Sequence, residues 1–387
     1  MHILMLDNEF PPLGGGTGVV NFHLLEELAK KDDVAVDLVT SSRTKSSYET
    51  EQFAERITLY KVPVNNQGIH HSSNRELIRY AWRGLLFSRR LIKERKYDLS
   101  FAFAGVPAGW ISYMLNRTKG IPYLVSLQGT DVPGFERRYN YLYPFLKPIL
   151  RRVWKRAGAV VALNDQMVTL AQATLPHVAF PIVPNAVDTN LFHPRKQHST
   201  TKEVNILCVG RLIERKGQGN LLRAFAELKQ QFNKPVHLTL VGKGDSEESL
   251  RRLADSLQIA DAVTFAGFVA REEMPAVYHQ ADIFVLPSFS EGMSIGLLEA
   301  MASALPVVVT ANGGTEQLVI NGKNGYIVPC GDVPALTEAL ARLVNAKKVW
   351  TSMGAESRRI AEQFSWTRFA ERYLEFCRAV ASQGKRN

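Results

Sequence analysis

The feature of this 387-residue chain that most constrains its fold is the regular alternation of short apolar runs with longer amphipathic segments. Runs such as Met1–Leu6, Tyr123–Leu127 and Ile283–Leu286 have the length and composition of buried strands, whereas Gln218–Gln231 and Val333–Asn345 repeat their apolar residues at helical spacing. Strands that are apolar throughout are typical of parallel sheets covered by helices on both faces. The chain is therefore predicted to be an α/β protein.

A polar stretch near the middle of the chain interrupts the alternation and predicts a boundary between two domains. We expect two Rossmann-like, doubly wound parallel-sheet domains that face a central cleft, with ligands at the carboxyl ends of the strands. The predicted parts are a first domain over 1–187, a linker over 188–203, a second domain over 204–365, and a C-terminal helical segment over 366–387 that packs back on the first domain.

The charge of the chain is unevenly distributed. The net charge is +10, and residues 1–185 carry 23 Lys and Arg against 16 Asp and Glu. The first domain is therefore expected to face something anionic, such as a membrane surface or a phosphate-bearing acceptor, and no zinc-finger, RNP or basic-zipper pattern indicates nucleic acid. The chain shows neither a secretion signal nor a run of apolar residues long enough for a bilayer, which predicts a cytoplasmic location.

Residues 137–156 combine basic and aromatic side chains and contain no acid. One interpretation is an interfacial surface that approaches anionic lipid on the cytoplasmic face of a membrane. The other is a domain helix with an aromatic core face and a solvated basic face. Pro144 and Pro148 predict that the segment does not form one continuous amphipathic helix.

A glycine-rich loop that contains Gly14, Gly15 and Gly16 follows the first predicted strand and precedes a helix. Glycines allow close approach of the backbone to a ligand, and N–H groups at a helix start suit a phosphate. A plain flexible turn is the alternative. The dinucleotide-binding fingerprint does not fit, because the glycine spacing differs and the second strand ends without the ribose-binding acid.

Two cations follow the first predicted strand of the second domain. Arg211 lies at the strand end and Lys216 comes five residues later, before a helix. A planar guanidinium and a mobile ammonium in this position could hold a diphosphate. Solvated surface charges are the alternative, and the position at the carboxyl end of a strand favours function.

The densest candidate site follows the strand Ile283–Leu286. Glu291 precedes a helix predicted to begin near Met293–Ser294, and Glu299 lies within that helix among apolar neighbours. Carboxylates accept hydrogen bonds from vicinal hydroxyls, which sugars and riboses present. Backbone N–H groups at the helix start could bind sugar hydroxyls or phosphate, and they belong to Gly292, Met293, Ser294 and Ile295.

The order of these motifs resembles the family-four retaining glycosyltransferases, the glycosyl transferases group 1, of GT-B architecture. The matching residues are Gly210-Arg211, Lys216-Gly217, and Glu291 followed after seven residues by Glu299. Val183–Asp188 and Asn312–Glu316 also resemble the family, and the resemblance covers nearly the whole chain. It is densest from about 205 to 330.

The resemblance implies a role for each motif. Arg211 and Lys216 would neutralise the diphosphate of a nucleotide-sugar donor, and Glu299 would bind its ribose hydroxyls. Glu291, with the backbone after it, would hold the transferred sugar near the reacting carbon, so Glu291, Arg211 and Lys216 are the candidate catalytic residues. Gly15 and Gly16 would close over the phosphates from the first domain.

The resemblance also implies a hexosyltransferase-like enzyme that uses a UDP- or GDP-linked sugar and retains anomeric configuration by front-face attack, without a protein nucleophile. The acceptor would be a glycan or lipid-linked molecule of cell-surface polysaccharide or glycolipid synthesis. The sequence contains no Asp-x-Asp pair, so neither a metal nor another cofactor is expected, and cations with a helix dipole would stabilise the leaving phosphate.

One position departs from the family. Many relatives carry His at the end of the fifth strand of the first domain, near the sugar, and Gln128 stands at the matching position here. Glutamine cannot titrate, so Asp131 is a candidate to handle a proton in place of the histidine. The alternative is that Asp131 is a structural aspartate in a turn or at a helix cap. The departure also motivates a second hypothesis, a catalytically weak nucleotide-sugar-binding subunit of a glycan assembly complex. A sugar phosphorylase or epimerase is a third, for which the sequence shows no lysine-cofactor signature.

Overall fold

The chain folds into two compact α/β units. One comprises Met1–Asn185 with Trp366–Asn387, and the other comprises Ala186–Ser365. These bounds come from a computed structural model, which describes residues 1–68, 72–136, 139–195, 203–231 and 235–384.

The first unit is built on a seven-stranded sheet with the order β3-β4-β2-β1-β5-β6-β7. Its strands are β1 His2–Leu6, β2 Ala35–Ser42, β3 Glu49–Ala54, β4 Ile57–Pro63, β5 Leu99–Phe103, β6 Tyr123–Ser126 and β7 Ala159–Val161. Its helices up to the domain boundary are α1 Gly16–Ala29, α2 Asn74–Glu94, α3 Ala108–Lys119, α4 Tyr143–Arg156 and α5 Asp165–Thr174. All neighbouring strands are parallel except β3, which runs antiparallel to β4.

The second unit is built on a six-stranded, fully parallel sheet with the order β10-β9-β8-β11-β12-β13. Its strands are β8 Val204–Val209, β9 Val236–Val241, β10 Val263–Gly267, β11 Ile283–Leu286, β12 Val307–Thr310 and β13 Gly325–Val328. Its helices are α6 Gln218–Gln231, α7 Glu247–Ser256, α8 Met274–Gln280, α9 Ile295–Ala302, α10 Val333–Asn345 and α11 Trp350–Ala361. The predicted parallel α/β architecture is thus confirmed for both units.

The last helix, α12 (Trp366–Gly384), belongs to the first unit. The Tyr373 ring stacks on Phe101 of β5 at 5.1 Å, and its hydroxyl lies 2.7 Å from Ser126 Oγ. Trp366 stacks on His23 of α1 at 4.7 Å. These contacts place α12 against β5, β6 and α1 on one face of the sheet, whereas α2 and α3 pack side by side on the cluster that contains Leu4 and Leu6 of β1. A strand alternates its side chains between the two faces, which explains the division.

The unit boundaries fall at 185/186 and 365/366. The first part of the predicted linker packs on the second unit, because Phe192 is fully buried and Arg358 Nη1 donates to the carbonyls of Thr189 and Phe192 at 3.0 and 2.8 Å. Residues 196–202 of the predicted linker lie outside the described residues. Across the described ranges, no helix has both the length and the apolar character needed to cross a membrane.

Two local predictions differ from the structure. The strand β3 was not predicted, because it is a polar edge strand that pairs only with β4 and keeps most of its side chains exposed. The apolar run Ala179–Val183 has the length and composition that predict a further strand, but it makes only a single bridge, between Ala162 and Ile182.

The expectation that two prolines would interrupt the segment 137–156 agrees with the start of α4 at Tyr143, next to Pro144, but is wrong for Pro148, which does not interrupt the helix. Pro144 lies in the first turn, where its missing N–H costs no intrahelical hydrogen bond. Pro148 lies inside the helix, and burial of Val153 and Trp154 against the core offsets the lost bond.

The start of β13 provides a test of how closely the second sheet is packed. Gly325 lies against β12 so tightly that an added Cβ would be 1.9 Å from the carbonyl oxygen of Val307. We expect Gly325→Ala to lower the free energy of unfolding by about 2–3 kcal/mol, since the two strands must separate. Urea unfolding followed by circular dichroism measures the change.

Gly219→Ala is the matched control. Gly219 lies in α6, and the nearest heavy atom to an added Cβ is 3.5 Å away, at the end of the Arg223 side chain. Alanine should raise the unfolding free energy by about 0.5–1 kcal/mol through helix propensity. Equal effects of the two substitutions would contradict the packing described here.

Candidate functional site

Two loops at the carboxyl edge of the second sheet bring two of the predicted site residues, Lys216 and Glu291, into contact. One loop follows β8 and contains Arg211 and Lys216, and the other follows β11 and contains Glu291. Gly217, with φ +68°, lies where an added Cβ would be 2.1 Å from the carbonyl oxygen of Pro287. A glycine is required here both for its left-handed backbone and for the close approach of the second loop.

The close approach places Lys216 beside Glu291. Lys216 Nζ donates to Glu291 Oε1 at 2.6 Å, and Arg215 Nη1 lies 3.9 Å from Glu291 Oε2. Arg215 Nη1 also donates to the carbonyl of Ser290 at 2.5 Å. Burial raises the pKa of the Glu291 carboxyl, but the positive charges of Lys216 and Arg215 outweigh this effect, and the pKa lies below its usual value. Glu291 is therefore a buried carboxylate anion at neutral pH.

Arg211 occupies the same loop as Lys216. It is partly buried, and its carbonyl accepts a hydrogen bond of 2.9 Å from Gln218 Nε2. This contact ties the loop to the start of α6. Two cations, Arg211 and Lys216, thus follow the central strand of the sheet and share one short loop.

The helix predicted after Glu291 is α9, and it begins at Ile295 rather than near Met293–Ser294. Ser294 is its N-cap, and Ser294 Oγ accepts a hydrogen bond from the Leu297 N–H at 3.3 Å. Gly292 and Met293 therefore precede the helix and belong to the loop. The prediction missed the start by one or two residues because Ser294 can occupy either the cap or the first turn.

Glu299 lies in α9 and is buried, as its apolar neighbours predicted. Tyr278 of α8 donates its hydroxyl to Glu299 Oε2 at 2.8 Å, and Arg271 Nη1 lies 3.9 Å from Glu299 Oε1. Burial raises the pKa of the Glu299 carboxyl to about 7, although the hydroxyl and the guanidinium act in the opposite direction. Glu299 thus changes its charge near neutral pH, whereas Glu291 does not.

The predicted glycine loop of the first unit is held by hydrogen bonds between its own residues. Gly15 is the N-cap of α1, and its N–H donates to Glu9 Oε2 at 3.1 Å. Asp7, directly after β1, is buried and accepts from Asn21 Nδ2 and from the Glu9 N–H. The Glu9 carboxylate therefore accepts from the amide that was predicted to meet a phosphate. Gly16 begins the helix, and a Cβ added to it would meet no heavy atom within 4 Å.

Gln128 and Asp131 lie together in the loop after β6. Asp131 is buried and accepts three backbone hydrogen bonds, from the N–H groups of Gly105, Gln128 and Gly129 at 2.6, 2.9 and 2.9 Å. Gln128 Nε2 donates to Ser126 Oγ at 2.8 Å. This is the arrangement of a turn aspartate, the alternative that the sequence left open for Asp131, and burial raises its pKa.

Three residues around the site were not singled out from the sequence. Arg215 could have been found from the sequence, because it directly precedes Lys216 in a motif that was already identified. Tyr278 and Arg271 belong to α8 and to the segment before it, more than twenty residues before Glu299. No local pattern connects them with Glu299, because only the packing of α8 on α9 brings them there.

Comparison with known proteins decides the family. The model of the family described as glycosyl transferases group 1 matches residues 190–360, and that of the glycosyl transferase 4-like domain matches residues 15–186. The chain belongs to the family-four glycosyltransferases. It is therefore an enzyme that transfers a sugar from a nucleotide sugar, as the motifs predicted.

Individual relatives agree with this assignment. This family-four enzyme is 28% identical to the GDP-mannose-dependent alpha-(1-6)-phosphatidylinositol monomannoside mannosyltransferase of Mycolicibacterium smegmatis, with 96% of this chain and 97% of that one covered. Its fold matches sucrose-phosphate synthase from Thermosynechococcus elongatus with a TM-score of 0.87 and 20% identity, over 99% and 100% of the two chains. It also matches Anabaena HepE, solved with UDP-glucose, with a TM-score of 0.73 and 19% identity over 97% and 98%. The GT-B fold class is thereby confirmed.

The ion pair between Lys216 and Glu291 makes a prediction about stability. Lys216→Met should lower the free energy of unfolding by about 3 kcal/mol at pH 7, because a buried carboxylate loses its partner. Lys216→Met combined with Glu291→Gln should recover most of this loss, since the buried charge is gone. Chemical unfolding of the four proteins in a double-mutant cycle measures the coupling.

The same pair has a predictable pH dependence. The pKa of Glu291 is lowered by folding, so its contribution to stability is complete above the usual carboxyl range and is lost as pH falls through the lowered value. The stability difference between the wild-type protein and Lys216→Met should therefore shrink as pH falls from about 6 to about 3. A difference that stays constant over this interval would contradict the assignment.

Proposed function

We propose that this glycosyltransferase moves a sugar from a UDP- or GDP-linked donor to a glycan or lipid-linked acceptor, with retention of anomeric configuration and without a metal ion. The observation that carries the proposal is the ion pair of Lys216 with Glu291, which joins the loops after β8 and β11 at the carboxyl edge of one parallel sheet. Such an edge is where α/β sheets bind their ligands. Cell-surface polysaccharide or glycolipid synthesis is the process that we infer.

In this proposal, Arg211 and Lys216 bind the diphosphate. A cation offers a diphosphate stronger hydrogen bonds than a neutral donor does. Lys216 also contacts Glu291, so on binding its ammonium would be shared between the carboxylate and a phosphate oxygen. Arg215, 3.9 Å from Glu291, supplies a second positive charge that keeps Glu291 ionised when Lys216 is shared.

Glu291 is proposed to hold the transferred sugar, together with the backbone that follows it. An ionised carboxylate accepts from two hydroxyls at once, and the lowered pKa keeps Glu291 in that form. The amides after it would contribute donors for the sugar or the phosphate, at Gly292, Met293, Ser294 and Ile295. Glu299 is proposed to accept from the ribose hydroxyls.

The leaving diphosphate is proposed to be stabilised by Arg211, Lys216 and the start of α9. Fixed cations and a helix N-terminus stabilise developing negative charge where it appears, without needing to reorganise. Front-face attack of the acceptor, assisted by the leaving phosphate, would give retention and require no protein nucleophile. No further cofactor is proposed, because the donor is itself a substrate.

Two residue pairs of the first unit complete the proposal. Gly15 and Gly16 are proposed to approach the donor phosphates, which requires the Glu9 carboxylate to leave the Gly15 amide. Gln128 and Asp131 are proposed for the acceptor or sugar side. Asp131 would act there by shaping the loop, since both of its oxygens accept backbone hydrogen bonds.

Donor binding tests the assignment of the diphosphate and ribose residues. Lys216→Ala and Glu299→Ala should each weaken UDP or GDP binding about 10- to 100-fold, the cost of one charge-assisted hydrogen bond. Isothermal titration in the presence of EDTA measures this. Lys323→Ala, an exposed lysine on a turn of the same unit, is the matched control and should bind as the wild-type protein does. Unchanged affinity in both site variants would refute the assignment.

The pH dependence of donor affinity tests Glu299 separately. Its pKa of about 7 means that the carboxylate is ionised above pH 7 and protonated below it. Affinity for the nucleotide should therefore fall as pH drops from about 8 to about 6, relative to Glu299→Gln, which shares the titration of the ligand but not of the carboxyl. Tyr278→Phe removes a hydrogen bond that lowers this pKa, so the midpoint should move to higher pH.

Product analysis tests the chemistry. Transfer should continue in EDTA, and the anomeric coupling seen by NMR should match the configuration of the donor. Strict magnesium dependence or inversion would contradict the proposed mechanism.

A catalytically weak nucleotide-sugar-binding subunit is the second candidate function. Gln128 favours it, because its amide is held by Ser126 and cannot transfer a proton. Tight nucleotide-sugar binding without hydrolysis or transfer over a panel of donors would support this candidate. Slow hydrolysis of a bound donor would exclude it.

A further inference from the structure

The outward face of α2 is apolar in its middle. Ile78, Trp82 and Leu86 are 61%, 57% and 59% exposed, although each is a large hydrophobic residue. Their spacing of four places them along one side of the helix, over about 12 Å. Apolar side chains that form a continuous exposed stripe indicate an interaction surface, unlike single ones scattered over a protein.

The stripe is not needed to pack α2 on its own unit. The buried residues of the helix include Tyr80, Gly84 and Leu91, which lie on the opposite side at 100° per residue. The apolar surface continues on the neighbouring helix, because the Trp82 ring meets Trp110 of α3 edge-on at 5.6 Å. Folding alone therefore leaves this apolar surface without a role.

Basic residues border the stripe on the same face. Arg75 precedes it by three residues, and Arg89 and Lys93 follow Leu86 at helical spacing. On one flank, the guanidinium of Arg79 donates to the carbonyl of Val64, directly after β4, and that of Arg83 donates to the carbonyl of Lys45, after β2. These bonds hold two more positive charges at the rim. The outward face of α2 thus has an apolar centre and cationic ends.

The neighbouring helices extend the positive charge. Over these three fully described helices there are six Lys and Arg on α2, two on α3 and five on α4, against two Glu, both on α2. Glu76 is buried as part of the capping box of α2, so Glu94 is the exposed acid among them. The basic residues of α4 are exposed, and they are Lys147, Arg151, Arg152, Lys155 and Arg156.

We propose that the outward face of α2 docks on an anionic lipid bilayer, with Ile78, Trp82 and Leu86 in the headgroup region and the surrounding arginines and lysines on lipid phosphates. Aliphatic side chains, a tryptophan and flanking cations on one helical face are what an interfacial helix requires. The alternative occupant, a second copy of this chain, is an outcome of the test. The inference deepens the proposed function, because it rests on a lipid-linked acceptor that the enzyme meets at a membrane.

Membrane contact was one of two interpretations of the segment 137–156. In the structure, this segment contributes less to the proposed docking surface than α2 does. Its Leu150 and Trp154 are buried in the core, so α4 contributes mainly charge, with Phe145 exposed at its start. Arg137 and Arg138 lie outside the described residues. The apolar anchor belongs instead to α2, where the sequence shows only an amphipathic helix.

Vesicle flotation at low salt tests the proposal with the full chain. Wild-type protein should float with vesicles of phosphatidylcholine and phosphatidylglycerol, and not with phosphatidylcholine alone. I78Q/W82Q/L86Q should bind at least about tenfold more weakly, and R75Q/R89Q/K93Q should lose about fivefold for each charge. Matched controls on the second unit, I320Q and K323Q/K348Q, change exposed residues of the same types and should bind as the wild-type protein does.

Tryptophan quenching by brominated lipid locates the contact. Trp82 is exposed and Trp110 beside it is partly exposed, whereas Trp154, Trp350 and Trp366 are buried. Quenching in the wild-type protein that is reduced in W82F and absent from W82F/W110F would therefore place α2 at the bilayer. Quenching that W82F/W110F retains would overturn the assignment.

Other outcomes also overturn the proposal. It fails if the wild-type protein ignores anionic vesicles at low salt, or if I78Q/W82Q/L86Q floats as well as the wild type. Light scattering that shows a dimer dissociated by the same substitutions would assign the face to a second copy. Nucleotide affinity and donor hydrolysis in solution should stay unchanged in all α2 variants. If the wild-type protein binds anionic vesicles but transfers no sugar, the result counts against the proposed function and leaves the membrane-docking proposal standing.

Discussion

The approach of the Lys216 loop to the Glu291 loop is the contact on which the candidate donor site depends. Gly217 has no side chain, so the carbonyl of Pro287 can lie where a Cβ would be, and Lys216 then reaches Glu291 at 2.6 Å. Asn312 Nδ2, from the loop after β12, donates to the carbonyl of Ser288 at 3.1 Å and secures the second loop from its other side. Loops from three neighbouring strands are thereby joined at one edge of the sheet.

This geometry gives two buried glutamates opposite electrostatic properties. Glu291 meets an ammonium and a guanidinium, and its pKa falls despite burial. Glu299 meets a neutral hydroxyl and a more distant guanidinium, and burial raises its pKa to about 7. Residue type and burial are the same, so the difference comes from the charge of the partners. In the proposed function, the Glu291 carboxylate stays ionised at neutral pH, whereas the charge of Glu299 changes there.

Much of the fold could be predicted because it depends on local patterns. All six strands of the second sheet follow from short apolar runs, and α10 follows from helical spacing with Asp332 as its N-cap. The failures have equally local causes. The polar edge strand β3 has no apolar run to reveal it, and Pro148 is tolerated in α4 because distant core contacts offset its effect. The candidate residues Arg211, Lys216 and Glu291 could be named because they follow strand ends, and Glu299 because its apolar neighbours indicated a buried position within a helix.

The amino-acid pattern was sufficient to establish a two-part α/β enzyme of the family-four glycosyltransferases and to identify its motifs, because hydrophobic period, glycine turns and motif order are properties of neighbouring residues. The sequence alone did not reveal which residues far apart in the chain become partners, or which apolar surfaces stay uncovered. The hydrogen bond of Tyr278 to Glu299 and the exposed stripe of α2 both arise from how the helices pack. Burial and partner identity set charge states and leave surfaces uncovered, and both are defined only when the chain has folded.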